Sequence, residues 1–178
     1  MYRFSFLLSL VLLFLSGCAH EVKQACNEVD WYEIGRNDGA VGRTEDYFQN
    51  YESYCPSGKI DRVQVLYFHG REAGLSSYCD PKNAFELGHS GKIHDHVCPL
   101  EYQNSFLLHY NRGLEYRKIE ETNLALTKEL RQIRSQLTIS NLNEQVRADL
   151  KKKIDSLENK LQLNNGQLSK IEGTTVTR

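Results

Sequence analysis

A short polar stretch near the middle of the chain carries side chains of the kinds that bind transition metals. Three histidines and a cysteine lie within ten residues there: His89, His94, His96 and Cys98. Neutral imidazole and thiolate are ligands that zinc and copper prefer. The opposing interpretation is a polar surface loop, which we favour because Cys98 is expected in a disulfide and histidines are common in such loops. The sequence therefore predicts neither a metal nor a cofactor, and the three histidines are the only candidates for a metal site.

The sequence predicts a protein that is not an enzyme. It contains no GxSxG, HExxH or P-loop motif, and no GxGxxG placed after a strand. Asp38, Glu45 and Asp46 could supply a carboxylate pair for glycoside chemistry, but a solvated helix face explains them better. The formal net charge is −1, with 22 basic and 23 acidic side chains. This balance argues against nucleic acid as a partner.

The N-terminal segment predicts export. A short basic start is followed by an apolar run over residues 4–15. A transmembrane helix needs about 20 such residues, so the run is too short to span a bilayer and fits a secretory signal peptide. We therefore expect residues 1–17 to be a signal peptide that is removed.

The segment also predicts a lipid anchor. The apolar run ends in Leu-Ser-Gly-Cys at residues 15–18, which resembles the bacterial lipobox. In that motif the cysteine is acylated and becomes the mature N-terminus. We expect Cys18 to carry the lipid and to hold the protein to a bilayer. The residue that follows is Ala19 rather than aspartate, which resembles the default sorting to the outer membrane, facing the periplasm.

Composition divides the rest of the chain at residue 114. Prolines, glycines and the remaining cysteines fall mostly before this point, and helix-forming residues dominate after it. We expect a tether over residues 18–25, a compact disulfide-braced domain over 26–113, a helical hairpin over 114–171 and a disordered tail over 172–178.

The compact domain is predicted to be helical. Helices are expected at residues 29–42, 45–55, 60–79 and 103–137, with an irregular loop over 80–100. The predicted fold is therefore all-α.

Four cysteines follow the lipobox, and in an exported chain an even number indicates disulfides. They are Cys26, Cys55, Cys79 and Cys98. Three pairings exist. If the first two helices are antiparallel, Cys26 lies near Cys55, and Cys79 and Cys98 then close the loop between them. We favour Cys26–Cys55 and Cys79–Cys98, each contributing about 3–4 kcal/mol on the chain-entropy model.

One small pattern recurs, in which an aromatic residue is followed three positions later by glycine. The copies are Tyr32/Gly35, Tyr67/Gly70, Phe85/Gly88 and Tyr110/Gly113. Their irregular spacing excludes a solenoid repeat. On a helix, such glycines allow another backbone to approach closely. We favour helix–helix packing over a ligand groove, because an interior helix glycine costs about 1 kcal/mol and needs a packing reason.

The C-terminal third shows two apolar seams with the three- and four-residue spacing of a coiled coil. They comprise Leu126, Leu130, Ile133 and Leu137, then Leu150, Ile154, Leu157 and Leu161. The seams are out of phase, which favours a turn between them, with Asn141 and Glu144 as a capping box. This predicts an antiparallel hairpin of 103–138 against 143–165. Two interpretations stay open: the hairpin packs only on itself, or residues 118–165 contact a protein partner or a second copy.

Several blocks together resemble an uncharacterised family of bacterial lipoproteins, the domain of unknown function 2799, over residues 26–117. The blocks contain Trp31, Tyr32, Gly35, Asp38, Gly39 and Gly42, then Tyr67, Gly70, Arg71, Gly74 and Tyr78, then Phe85, Gly88, Gly91, Phe106, Tyr110 and Gly113. The resemblance implies an exported, lipid-anchored protein and brings no activity or catalytic residue. The His94-Asp95-His96 cluster departs from the family pattern.

These observations predict an envelope lipoprotein that acts by protein–protein contact. The alternative is a periplasmic binding module for a small ligand or a glycan, using the tyrosine- and glycine-lined surface of residues 31–113. A metal-binding protein acting through residues 89–98 is the third hypothesis.

Overall fold

The computed structural model of the protein describes residues 26, 28–55 and 57–175. This part of the chain is helical and contains no strand, which confirms the predicted all-α class. The signal peptide, the tether with Cys18 and the last three residues of the predicted tail lie outside the described residues. None of the described helices is both long and apolar enough to cross a membrane.

Six α-helices follow one another in the described residues. They are α1 (Trp31–Ala40), α2 (Gln49–Glu52), α3 (Ile60–Tyr78), α4 (Pro81–His89), α5 (Leu100–Leu137) and α6 (Glu144–Thr175). The predicted helix at 45–55 is a 3₁₀ turn, Glu45–Phe48, that continues into the short α2. A second 3₁₀ turn, Ser57–Lys59, precedes α3.

The chain forms two compact units whose boundary differs from the predicted one at residue 114. The first unit contains the described residues up to Tyr78 together with Asp95–Cys98. The second contains Cys79–His94 and the described residues from Pro99 onward. The first part of α5 belongs with the hairpin rather than with the braced domain because it is continuous with the hairpin's first arm and packs against α4.

Helix α4 corrects the predicted irregular loop over 80–100. Asp80 is the N-cap, and its Oδ1 accepts from the Lys82 backbone N–H at 2.8 Å. Pro81 occupies the first helical turn, where a missing N–H costs nothing. The helix ends near Gly91, whose φ of 69° lies in the left-handed region that glycine tolerates. The sequence predicts a loop here because the helix between these start and stop signals is only nine residues long, too short for a clear helical periodicity.

The core of the first unit is aromatic. Phe48 and Tyr67 are buried, and their ring centroids lie 5.0 Å apart. Trp31 is buried on the same cluster, and Tyr51 packs edge-on against it at 5.9 Å. The short elements before α3 are therefore held by large side chains, since two to three turns of helix would be marginal alone.

The second unit contains two long helices that lie side by side in opposite directions. Leu130, Ile133 and Leu157 are buried where α5 and α6 meet. Four partly buried residues extend this cluster: Leu126, Leu150, Ile154 and Leu161. These are the eight seam residues of the sequence pattern except Leu137, and their packing is compatible with the predicted hairpin.

Both ends of α6 differ from the prediction. Asn143, not Asn141, caps the helix: its Oδ1 accepts from the Gln145 backbone N–H at 2.8 Å. At the other end α6 continues to Thr175, so residues 172–175 are helical rather than disordered. Tyr116 supplies a reason, because its hydroxyl donates to Glu172 Oε1 at 2.6 Å and holds this turn against α5.

Candidate functional site

Helices α1 and α3 cross through their glycines. A Cβ added at Gly35 would come closer to the Tyr67 carbonyl oxygen than the 3.0 Å that real Cβ atoms respect, and one added at Gly70 would meet the Tyr32 carbonyl in the same way. Gly39 faces the Arg71 carbonyl with equally little room. The backbones themselves fill this face, so the glycines serve helix packing and do not line a ligand groove along it.

The second unit repeats this geometry between α4 and α5. A Cβ at Gly88 would collide with the Tyr110 carbonyl, and one at Gly113 with the Phe85 carbonyl. In both units each glycine therefore faces the carbonyl three residues before its partner glycine. The irregular sequence pattern is explained: its four copies form two pairs of crossed helices.

The correspondence extends beyond the crossing. Gly42 and Gly91 each lie three residues after a crossing glycine, have φ values of 76° and 69°, and donate a backbone hydrogen bond to that glycine's carbonyl at 3.0 and 2.9 Å. The Tyr78 ring covers Gly42 in the first unit, and the Arg117 guanidinium covers Gly91 in the second. Each of these side chains lies four residues after a glycine of the facing helix, Gly74 or Gly113. The two units thus contain the same helix pair with different side chains around it.

Asp38 is the centre of a polar cluster in the first unit. Its Oδ2 accepts hydrogen bonds from the hydroxyls of Tyr51 and Tyr67, both at 2.9 Å. Burial, and then the hydrogen bond to Asp38, raise the pKa of Tyr51 to about 12, and the same two causes raise the pKa of Tyr67 further. Both phenols stay protonated at neutral pH and tie the end of α1 to α2 and α3.

Arg71 is the buried charge of this unit. Its Nε donates to the Arg43 carbonyl at 2.8 Å, and its guanidinium lies 3.6 Å from the Glu45 carboxylate. Asp38 has its own cation, because Arg43 Nε lies 3.8 Å from its Oδ1, so Glu45 and Asp38 pair with different arginines. Within the described residues no buried side-chain oxygen or nitrogen is left without a hydrogen bond. The cluster is satisfied by the fold and has the character of a structural polar core.

The structure contains the Cys26–Cys55 disulfide, the pairing favoured from the sequence. Trp31 reinforces it, since its indole N–H donates to the Cys26 carbonyl at 3.0 Å. Cys79 and Cys98 are disulfide-bonded as well. A disulfide sulfur has no thiolate to offer, so Cys98 is unavailable to a metal.

The histidines of the 89–98 stretch are not gathered into a ligand set. His89 Nε2 lies 2.7 Å from Glu120 Oε2. The His94 ring packs on Phe106 and Tyr110 at centroid distances of 5.2 and 4.5 Å, whereas His96 belongs to the first unit and has a φ of 54°. Over the described ranges no three histidine, cysteine or acidic side chains converge as metal ligands would.

The hairpin carries a polar layer next to its apolar seam. Asn164 donates to Asn123 Oδ1 at 2.7 Å, and Asn123 donates to Asn165 Oδ1 at 3.0 Å. Asparagine in a seam favours one register, because any slip would leave its amide without a partner. Ion pairs flank the seam, with Lys153 at 2.7 Å from Glu129. The seam pattern does not predict this polar layer, because the pattern consists of apolar residues alone.

The end of the hairpin exposes apolar side chains. We call residues 138–147, between and at the ends of α5 and α6, the distal tip. Ile139 is 53% exposed and Val146 is 45% exposed, while Leu142 between them is partly buried. The seam leucines by contrast are covered by the facing helix. The predicted contact region covers the whole of 118–165, and the structure separates its covered seam from its exposed tip.

Residues 30–115 match the family model described as a protein of unknown function, DUF2799. This region contains both pairs of crossed helices. Searches of curated proteins and of solved structures find no match to the chain. This match supports the assignment of residues 30–115 to the DUF2799 family of proteins of unknown function.

Proposed function

We propose that this protein is a bacterial envelope lipoprotein, anchored by acyl chains on Cys18, that works by contacting another protein through the distal tip of its hairpin. It is non-enzymatic in this proposal, and its location is the outer membrane facing the periplasm. The lipobox-like residues 15–18 support the anchor. The exposed apolar tip is the single observation that carries the contact.

The hairpin geometry favours the tip over the seam. The seam leucines are already buried within the chain, so a partner using them would have to separate α5 from α6. Ile139 and Val146 need no such rearrangement. Burying them would contribute about 25 cal/mol for each Å² of apolar surface removed from water. The tip begins 25 residues after Gly113, about 38 Å along the direction of α5, which keeps it clear of α4.

The alternative function is a binding module for a small ligand or glycan on residues 31–113. The prediction placed the ligand on a tyrosine- and glycine-lined surface. The glycine faces at the two helix crossings are occupied by helix backbones, which argues against that surface. Tyr67 is fully buried and donates to Asp38, so it is not offered to a sugar. Ligand binding by this domain that survives changes at the tip would support the alternative.

Replacing Cys18 with alanine tests the anchor. We expect the variant to incorporate no labelled palmitate and to leave the membrane fraction, because Cys18 carries the only thiol in the lipobox-like residues 15–18. Ala19→Ser, which leaves the cysteine in place, should be labelled and sedimented like the unaltered protein. Palmitate on the Cys18→Ala variant would contradict the proposal.

The double variant Ile139→Asp/Val146→Asp tests the contact. Both side chains are exposed, so we expect unchanged helix content by circular dichroism and a loss of at least about tenfold in partner crosslinking in cells, since two carboxylates would have to be desolvated in the interface. Leu124→Asp/Leu163→Asp is the matched control, with one exposed leucine on α5 and one on α6, both away from the tip. Equal loss in both variants would show that the tip has no special role.

A further inference from the structure

A cleft of about 470 Å³ opens in the first unit beside Cys26. The apolar part of its wall includes Val29, Trp31 and Val63 from the aromatic core cluster, with Leu66 of α3 at the edge. Two cationic side chains complete the lining: Lys59, just before α3, and Arg62, in the first turn of α3. The lining thus combines apolar side chains with two positively charged ones.

The cleft is open on the side of its cations. Lys59 and Arg62 are exposed, and Leu66 is 43% exposed. A Cβ added at Gly58, which also lines the cleft, would meet nothing within 4 Å. The indole N–H of Trp31 is satisfied by the Cys26 carbonyl, so the small part of this buried side chain that reaches the cleft is apolar ring. A ligand with a hydrocarbon part and an anionic part matches this arrangement.

The position of the cleft in the sequence indicates where such a ligand would come from. Cys26 lies eight residues after Cys18. A fully extended chain spans at most about 3.6 Å per residue, so the cleft lies within about 29 Å of the acylated cysteine. If Cys18 is embedded in a bilayer, as proposed above, this reach keeps the cleft beside the lipid headgroups of that bilayer.

We propose that the cleft binds an anionic phospholipid of the bilayer that holds the anchor. The phosphate lies between Lys59 and Arg62, because ammonium and guanidinium groups form charge-assisted hydrogen bonds with phosphate oxygens. The upper part of an acyl chain lies along Trp31 and Leu66. This contact orients the first unit against the membrane, which the lipid on Cys18 cannot do through a tether alone.

Trp31 makes the proposal measurable, because it is the single tryptophan of the chain and lines the cleft. The full lipidated protein is reconstituted in phosphatidylcholine vesicles that contain phosphatidylglycerol. Two preparations are compared: in one the phosphatidylglycerol is brominated near the glycerol end of its acyl chains, and in the other the phosphatidylcholine is. The two preparations contain the same density of bromine. We expect brominated phosphatidylglycerol to quench Trp31 fluorescence more strongly than brominated phosphatidylcholine.

Lys59→Gln/Arg62→Gln should raise the phosphatidylglycerol content needed for half-maximal quenching by about tenfold, since each basic side chain near a membrane surface attracts anionic lipid. Lys151→Gln/Lys152→Gln removes the same charge from exposed positions of α6 and should leave the quenching unchanged. Leu66→Asp alters the apolar edge without touching the buried core and should also weaken it. Circular dichroism of each variant confirms that the helices are intact.

Equal quenching by the two brominated lipids, or quenching that the Lys59/Arg62 change leaves unaltered, would overturn the lipid site while leaving the anchor intact. Failure of the protein to float with the vesicles would instead refute the lipid anchor, and with it the lipid site that rests on it. Flotation is measured on the same samples, so the two failures are distinguished.

Discussion

Gly35→Ala is expected to destabilise the first unit strongly. The new Cβ would lie far inside contact distance of the Tyr67 carbonyl, and backbone atoms, unlike a flexible side chain, cannot turn away. Helices α1 and α3 would have to separate and expose the aromatic core around Tyr67 and Phe48. Overpacking a core costs about 1–3 kcal/mol and sometimes more, and we expect at least about 3 kcal/mol here because two main chains clash.

Urea denaturation followed by Trp31 fluorescence measures this loss, because the single tryptophan is buried in the first unit. Gly166→Ala is the matched control: Gly166 lies inside α6, and an added Cβ would meet nothing within 4 Å. It should stabilise its helix by about 0.5–1 kcal/mol and leave the Trp31 transition in place. A Gly35→Ala protein with an unchanged midpoint would contradict the close crossing of α1 and α3.

Removing the Cys26–Cys55 disulfide is expected to lower the free energy of unfolding of the first unit by about 3–4 kcal/mol. The bond joins residues 29 positions apart, and opening that loop restores conformational entropy to the unfolded chain. The unit is small and its helices before α3 are short, so this is a large share of a typical stability. The Trp31 transition again reports the effect.

Two versions of the variant separate loop closure from side-chain packing. Cys26→Ser/Cys55→Ser places a hydroxyl in the buried site of Cys26, whereas Cys26→Ala/Cys55→Ala leaves only a small void. Both should lose a similar amount if the crosslink is the main contribution. A loss below about 1 kcal/mol in the alanine version would show that the disulfide does little to stabilise this unit.

The all-α class, the Cys26–Cys55 pairing and the role of the glycines could all be predicted from sequence. The role of the glycines is predictable because its physical basis is local: a glycine inside a helix costs free energy unless a neighbouring backbone needs the space. Which glycines pair could not be predicted, since Gly88 and Gly113 lie 25 positions apart and meet only after α4 has formed.

Other features escaped because they depend on contacts that sequence spacing does not show. Helix α4 lies where the sequence predicts a loop, although Asp80 and Pro81 are ordinary helix-start signals. The last turn of α6 is predicted to be disordered because no sequence pattern indicates the hydrogen bond from Tyr116 to Glu172. The sequence does place apolar Ile139 and Val146 beside a predicted turn. Their exposure could not be predicted, because it depends on which apolar residues the seam between α5 and α6 buries.

Site-specific photo-crosslinking in living cells tests the contact through the tip most directly. A photoreactive amino acid replaces Ile139 in one full-length protein and Leu163, an exposed leucine away from the tip, in another. The proposal predicts a discrete adduct from position 139 and none from position 163, with an adduct mass that distinguishes another envelope protein from a second copy. Adducts of equal yield from both positions, or none from position 139, would contradict the tip as the contact surface.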